Sequence, residues 1–67
     1  MSLAEALALF RRLGVNLDTI SQSEFRTSFF KLAMRYHPDR NPQGGQLMAN
    51  INAARAVILN FQKELWP

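Results

Sequence analysis

Sixty-seven residues make one domain, near the lower size at which a chain folds on a single hydrophobic core. Hydrophobic residues are 48% of the chain, enough for a modest core, and cysteine is absent, so neither a disulfide framework nor a thiolate zinc site is available. A single histidine argues against a protein-only zinc site, and a net charge of +3 is a mild bias towards acidic partners that does not choose among protein, nucleic acid and phospholipid.

No apolar run approaches the roughly 20 residues that cross a bilayer, and Glu5 interrupts the N-terminal region too early for a signal pattern. The lack of cysteine fits a reducing compartment, so the expected location is cytoplasmic, with anchoring by another part of a longer chain left open.

The first helix is predicted from about Leu3 to Leu13. Ser2 and Glu5 have the spacing of a capping box, in which each side chain satisfies the other's orphan backbone N–H. Leu3, Ala6, Leu7, Phe10 and Leu13 recur at helical spacing, and Gly14 follows where a left-handed backbone ends the helix.

Ser21 and Glu24 repeat the capping box at the start of the second helix, and Ile20 stands where a hydrophobic staple reaches Phe25. Phe25, Phe29, Leu32, Ala33 and Tyr36 share one face, and Phe10, Phe25, Phe61 and Leu65 are assigned to the core. Arg26, Phe30 and Met34, each four residues apart, form a second face that leaves Phe30 and Met34 at least partly exposed. Lys31 and Arg35 lie on the other flank. Pro38 disfavours helical geometry at His37, so the helix should end near Tyr36 or His37.

Two prolines, Asn41 and the pair Gly44-Gly45 mark a loop from Pro38 to Gly45. The third helix is predicted from about Gln46, with Leu47, Ile51, Ala54, Ile58, Phe61 and Leu65 on one face and fraying near Lys63. The simplest packing is an antiparallel pair of the second and third helices with the first lying across them.

Asp39 is poorly placed for stability, because it sits near the negative end of the second helix dipole. Arg35 and Arg40 are close enough in sequence to compensate it. Taken alone, Asp39 reads as a turn former and His37 as a solvated helix-end residue. Nucleophilic or general-base work needs a partner that the sequence does not supply, and Gly44-Gly45 lacks the lysine and spacing of a phosphate loop. The chain is therefore not expected to be an enzyme.

The stretch Lys31-Leu32-Ala33-Met34-Arg35-Tyr36-His37-Pro38-Asp39-Arg40-Asn41 closely resembles the J-domain signature of DnaJ-type co-chaperones, including the His-Pro-Asp tripeptide and the aromatic before it. Leu13-Gly14-Val15 is similar to the family's first-helix ending, and Ile51-Asn52-Ala53-Ala54 with Val57 is similar to the start of its third helix. The resemblance covers about Leu3 to Phe61. It implies an all-α J-domain that docks on a DnaK-type heat-shock chaperone and stimulates its ATPase. His37, Pro38 and Asp39 match the contacting tripeptide. Arg26, Lys31 and Arg40 fall on commonly basic partner-facing positions, and Met34 on an apolar one. Phe30, read from the helical wheel, joins them as a candidate contact. ATP and magnesium would belong to the partner, and the chain itself is expected to hold no cofactor.

Four departures stand out. Phe30 replaces a commonly basic residue, and Arg55 replaces a third-helix aromatic, its stem able to lie on the core edge. The loop after Asp39 is short, and the family's fourth helix is absent or truncated. No glycine/phenylalanine-rich linker or cysteine-rich zinc region is present, so residues 1–67 read as one J-domain that could be part of a longer protein.

Two other readings compete. One is a degenerate J-like recruitment domain without ATPase stimulation. The other is a helix-turn-helix nucleic-acid module, against which stands a third helix with Arg55 as its only charge from Gln46 to Asn60. The expected partner is thus a protein rather than a nucleic acid, no membrane segment is read in this chain, and the isolated domain is expected to be monomeric.

Overall fold

A computed structural model of the chain describes all 67 residues, and every regular element in it is helical. The elements are α1 (Leu3–Arg12), a 3-10 turn (Leu17–Thr19), α2 (Gln22–Tyr36), α3 (Gly45–Asn60) and the single turn α4 (Gln62–Leu65). No helix is long and apolar enough to cross a membrane.

Both capping boxes form. Ser2 N–H donates to Glu5 Oε1 at 3.0 Å and Glu5 N–H to Ser2 Oγ at 3.1 Å. Ser21 and Glu24 repeat the pair of bonds at 3.0 and 3.1 Å. Hydrogen bonds from the serine backbone, then from the serine side chain, hold both glutamates below the ordinary carboxyl pKa, because they favour the ionised acceptor.

At the end of α1, Gly14 adopts φ +88°. Its N–H donates to the Arg11 carbonyl at 3.0 Å, and Val15 N–H donates to the Phe10 carbonyl at 2.8 Å. This paired pattern is a Schellman motif, and its hydrophobic contact is supplied by Phe10 and Val15, both buried. The chain then makes the 3-10 turn, in which Asn16 Oδ1 accepts from Asp18 N–H at 3.0 Å and Leu17 turns into the core.

The core comprises Ala6, Leu9, Phe10, Val15, Leu17, Phe25, Leu32, Met48, Ile51, Ala54 and Ile58. Phe10 meets Phe25 edge-on with ring centroids 5.1 Å apart, the geometry that aromatic quadrupoles favour. Helices α2 and α3 run antiparallel: Gln22 at the start of α2 bonds Gln62 beyond the end of α3 at 2.8 Å, while the end of α2 adjoins Gly44 at the start of α3.

Three expectations are corrected. First, α3 packs more closely on α1 than on α2, so α1 is a principal partner rather than a cross-piece. Small Ala6 of α1 and Ala54 of α3 are both fully buried, and Phe25 of α2 turns its ring to Phe10 of α1. Second, α3 ends at Asn60 instead of fraying near Lys63, and the chain restarts as α4, the truncated counterpart of a fourth helix. Third, Phe61 is exposed, not core: it caps α3 at φ −111°, off the helical path that would have carried its ring inward. Leu65 is half-buried against the core, as is Trp66, whose indole Nε1 donates to the Ile20 carbonyl at 3.1 Å.

Candidate functional site

The site is built on the last two turns of α2 and the loop after it. Helix α2 stops at Tyr36, and His37 takes φ −59° and ψ 135°, the extended geometry that a following proline imposes. The His37 carbonyl then accepts from Arg40 N–H at 2.9 Å and Asn41 N–H at 2.8 Å, closing a tight turn over Pro38-Asp39. Asn41 continues the same logic: its Oδ1 accepts from Gln43 N–H at 3.2 Å and its carbonyl from Gly44 N–H at 2.8 Å. The loop is thus stitched by its own backbone.

Within that turn the His37 and Asp39 side chains are 56% and 90% exposed. Asp39 N–H donates to His37 Nδ1 at 3.2 Å, which assigns the acceptor role to Nδ1 and leaves Nε2–H as an outward donor in the neutral ring. The Asp39 carboxylate lies 3.7 Å from the same Nδ1 and pairs with neither Arg35 nor Arg40. Arg35 instead lies over the Tyr36 ring at 5.5 Å. One imidazole donor and one carboxylate acceptor are presented side by side to solvent.

Beside them, Phe30, Ala33, Met34, His37, Asp39 and Arg40 line a shallow depression of about 310 Å³. Phe30 and Met34 are 51% and 59% exposed, so the second face expected on α2 is present. Arg26 extends it by one turn, its guanidinium 5.7 Å from the Phe30 ring centroid. Six of the eight expected contact residues therefore fall on or next to one continuous surface: Arg26, Phe30, Met34, His37, Asp39 and Arg40. Pro38 is exposed at the crest of the turn, and Lys31 is exposed on α2 but does not line the depression.

Sequence reasoning missed two members. Ala33 was assigned to the core stripe, yet it is half-buried and also forms the floor of the depression. Gly44 was read as generic loop punctuation. It is buried, and a Cβ there would collide with the Tyr36 carbonyl oxygen and come within 3.1 Å of the Asn41 carbonyl oxygen.

An exposed imidazole and carboxylate on a self-bonded turn, flanked by apolar side chains and an arginine, form one exposed surface on a helical hairpin. The DnaJ domain family matches residues 8–65. The chain is 45% identical over 53 residues to the DnaJ-like protein MG200 of Mycoplasma genitalium, covering 76% of this chain and 9% of that protein. It is 48% identical over 48 residues to the chaperone protein DnaJ of Gluconobacter oxydans, covering 67% and 13%. It is 36% identical over 55 residues to the mitochondrial protein import protein mas5 of Schizosaccharomyces pombe, covering 82% and 13%. No solved structure matches the chain significantly. The chain belongs to the DnaJ-domain family, a family of co-chaperone modules, and spans only 9–13% of the length of these relatives.

Proposed function

We propose that this domain docks on a DnaK-type heat-shock chaperone through the His37-Pro38-Asp39 turn and the adjoining face of α2, and stimulates the partner's ATPase. The observation that carries this reading is the outward presentation of His37 and Asp39 on a turn whose backbone bonds are already made. Family membership supplies the partner class.

Mechanistically, the module binds the partner's ATP state more tightly than its other states. Only such a difference in affinity biases the partner towards hydrolysis, since equal affinity shifts nothing. Arg26, Lys31 and Arg40 steer encounter with an acidic surface and set its salt dependence. Phe30 and Met34 supply apolar contact, while His37 Nε2–H and the Asp39 carboxylate register the complex by hydrogen bonding and charge pairing. ATP and magnesium are held by the partner, and this chain performs no covalent chemistry itself. The reading places the domain in a reducing compartment such as the cytoplasm, as a monomer.

A single-turnover ATPase assay with a DnaK-type chaperone tests it. His37→Gln should keep the helical circular-dichroism spectrum and lose stimulation, and Asp39→Asn should behave likewise. Arg35→Ala, whose side chain lies on Tyr36, should matter less. Stimulation by His37→Gln at the wild-type level overturns the role of His37. Binding without stimulation by the wild-type domain would favour a recruitment module.

A further inference from the structure

A second depression, of about 360 Å³, lies between the start of α2 and the end of α3, lined by Gln22, Ser23, Phe25, Arg26, Arg55 and Leu59. Its floor is aromatic and aliphatic, and its rim carries two arginines from facing helices. Neither arginine has a carboxylate partner, because the arginine ion pair in the structure is Arg11–Asp18. Both heads are steadied by rings instead: Arg55 lies 4.8 Å from the Phe29 centroid and Arg26 lies 5.7 Å from that of Phe30. Cation–π stacking of this kind positions a guanidinium without neutralising it. The nearest carboxylate in sequence, Glu24, is spent on the Ser21 N–H.

We propose that this groove is a second docking surface, which shares Arg26 with the α2 face but lies away from the His37 turn, and that it takes an acidic peptide segment carrying an aliphatic side chain. Charge complementarity selects the occupant. Two unneutralised guanidinium groups favour carboxylates, and the Phe25–Leu59 floor accepts an apolar side chain between them. A nucleic-acid strand fits less well, because a continuous phosphate backbone asks for a row of cations and α3 offers Arg55 alone. A second copy of this chain fits less well still, since it carries a net charge of +3. Arg55 is the residue on which the proposal turns, and it is the position where this chain departs from the aromatic its family resemblance implies.

Fluorescence anisotropy with a short labelled peptide alternating Glu and Leu, and with its Gln counterpart, tests the groove directly and needs no chaperone. The wild-type domain should bind the Glu peptide and not the Gln peptide. Arg55→Gln should weaken binding about fivefold, as the loss of one partly exposed charge contact predicts. The double change Arg26→Glu with Arg55→Glu should reject the Glu peptide and bind a Lys–Leu counterpart, a gain that unfolding cannot mimic. Amide chemical-shift changes on binding should centre on Arg26, Arg55 and Leu59. The proposal is overturned by equal binding of the Gln peptide, by unchanged affinity in Arg55→Gln, by shift changes centred on His37–Arg40, or by displacement of the peptide by a single-stranded oligonucleotide at lower concentration. His37→Gln should leave this binding untouched, which separates its outcome from that of the chaperone assay.

Discussion

The backbone carbonyl of Tyr36 occupies the space that a Cβ on Gly44 would need, leaving no room for a side chain at that glycine. The contact joins the last residue of α2 to the N-cap residue of α3, and the seven-residue excursion that carries the His37-Pro38-Asp39 turn is closed across it. The glycine is required here for space, because its backbone is ordinary at φ −82°.

Gly44→Ala should therefore push the loop away from the end of α2. The expected cost is about 1–3 kcal/mol of stability from overpacking, read by thermal unfolding, together with reduced ATPase stimulation. Gly45→Ala is the matched control. A Cβ at Gly45 meets nothing within 4 Å and no positive φ is involved, so it should be neutral or stabilising by about 0.5–1 kcal/mol.

Met34→Ala should separate binding from folding. The side chain is 59% exposed, so stability should change by no more than about 0.5 kcal/mol. As part of an apolar contact beside the turn, its loss should weaken chaperone association by about 1–2 kcal/mol, measured by calorimetric titration. Phe30→Lys should make the same association steeper in its salt dependence by adding a charge to the docking face.

Trp66→Phe should show whether the C-terminal indole holds the segment before α2. The change removes the donor to the Ile20 carbonyl while keeping an aromatic near Phe25, now 5.5 Å from the indole. A loss of about 1 kcal/mol in unfolding free energy is expected, with helix content unchanged. Trp66→Ala should lose more, because the aromatic contact goes as well.

The capping glutamates set an acid limit. Their pKa values are lower in the folded chain than in the unfolded one, so the unfolded state binds protons first as pH falls. The stabilisation is complete above the unfolded carboxyl range, near about pH 4, and is lost as pH drops through the depressed folded values. Melting temperature should fall across that acid window in the wild type. Glu24→Gln retains an amide oxygen that accepts from Ser21 N–H, so it should keep α2 while reducing the acid-dependent part of the fall.

Much of this fold was legible because its signals are local. The two Ser-x-x-Glu boxes, Gly14 and Pro38 each fix a backbone event through neighbours within a few residues, and all four events occur as read. The exposure of Phe30 and Met34 followed from helical geometry once the Phe25–Tyr36 stripe was assigned to the interior. What escaped was set by contacts between distant segments. Periodicity alone carried Phe61 inward, since nothing local announced that α3 would stop at Asn60. Trp66 carries no local signal, because its partners, Phe25 and the Ile20 carbonyl, lie more than forty positions upstream. The preference of α3 for α1 is a choice among pairings of helix faces, and the individual helix patterns do not rank those pairings. At the site, the tripeptide was legible as a motif, while the glycine that gives it room was hidden because the Tyr36 carbonyl it accommodates is eight residues away.

The loop from His37 to Gly44 satisfies its amides internally, through the His37 carbonyl, the Asn41 side chain and the Asn41 carbonyl. A partner meeting this loop encounters a finished shape. In the proposed docking, little chain entropy is left to surrender on contact, so the free energy of new polar bonds would go into affinity and into discriminating between the partner's nucleotide states. On the proposed reading, the turn is a stiff key cut by the chain that carries it.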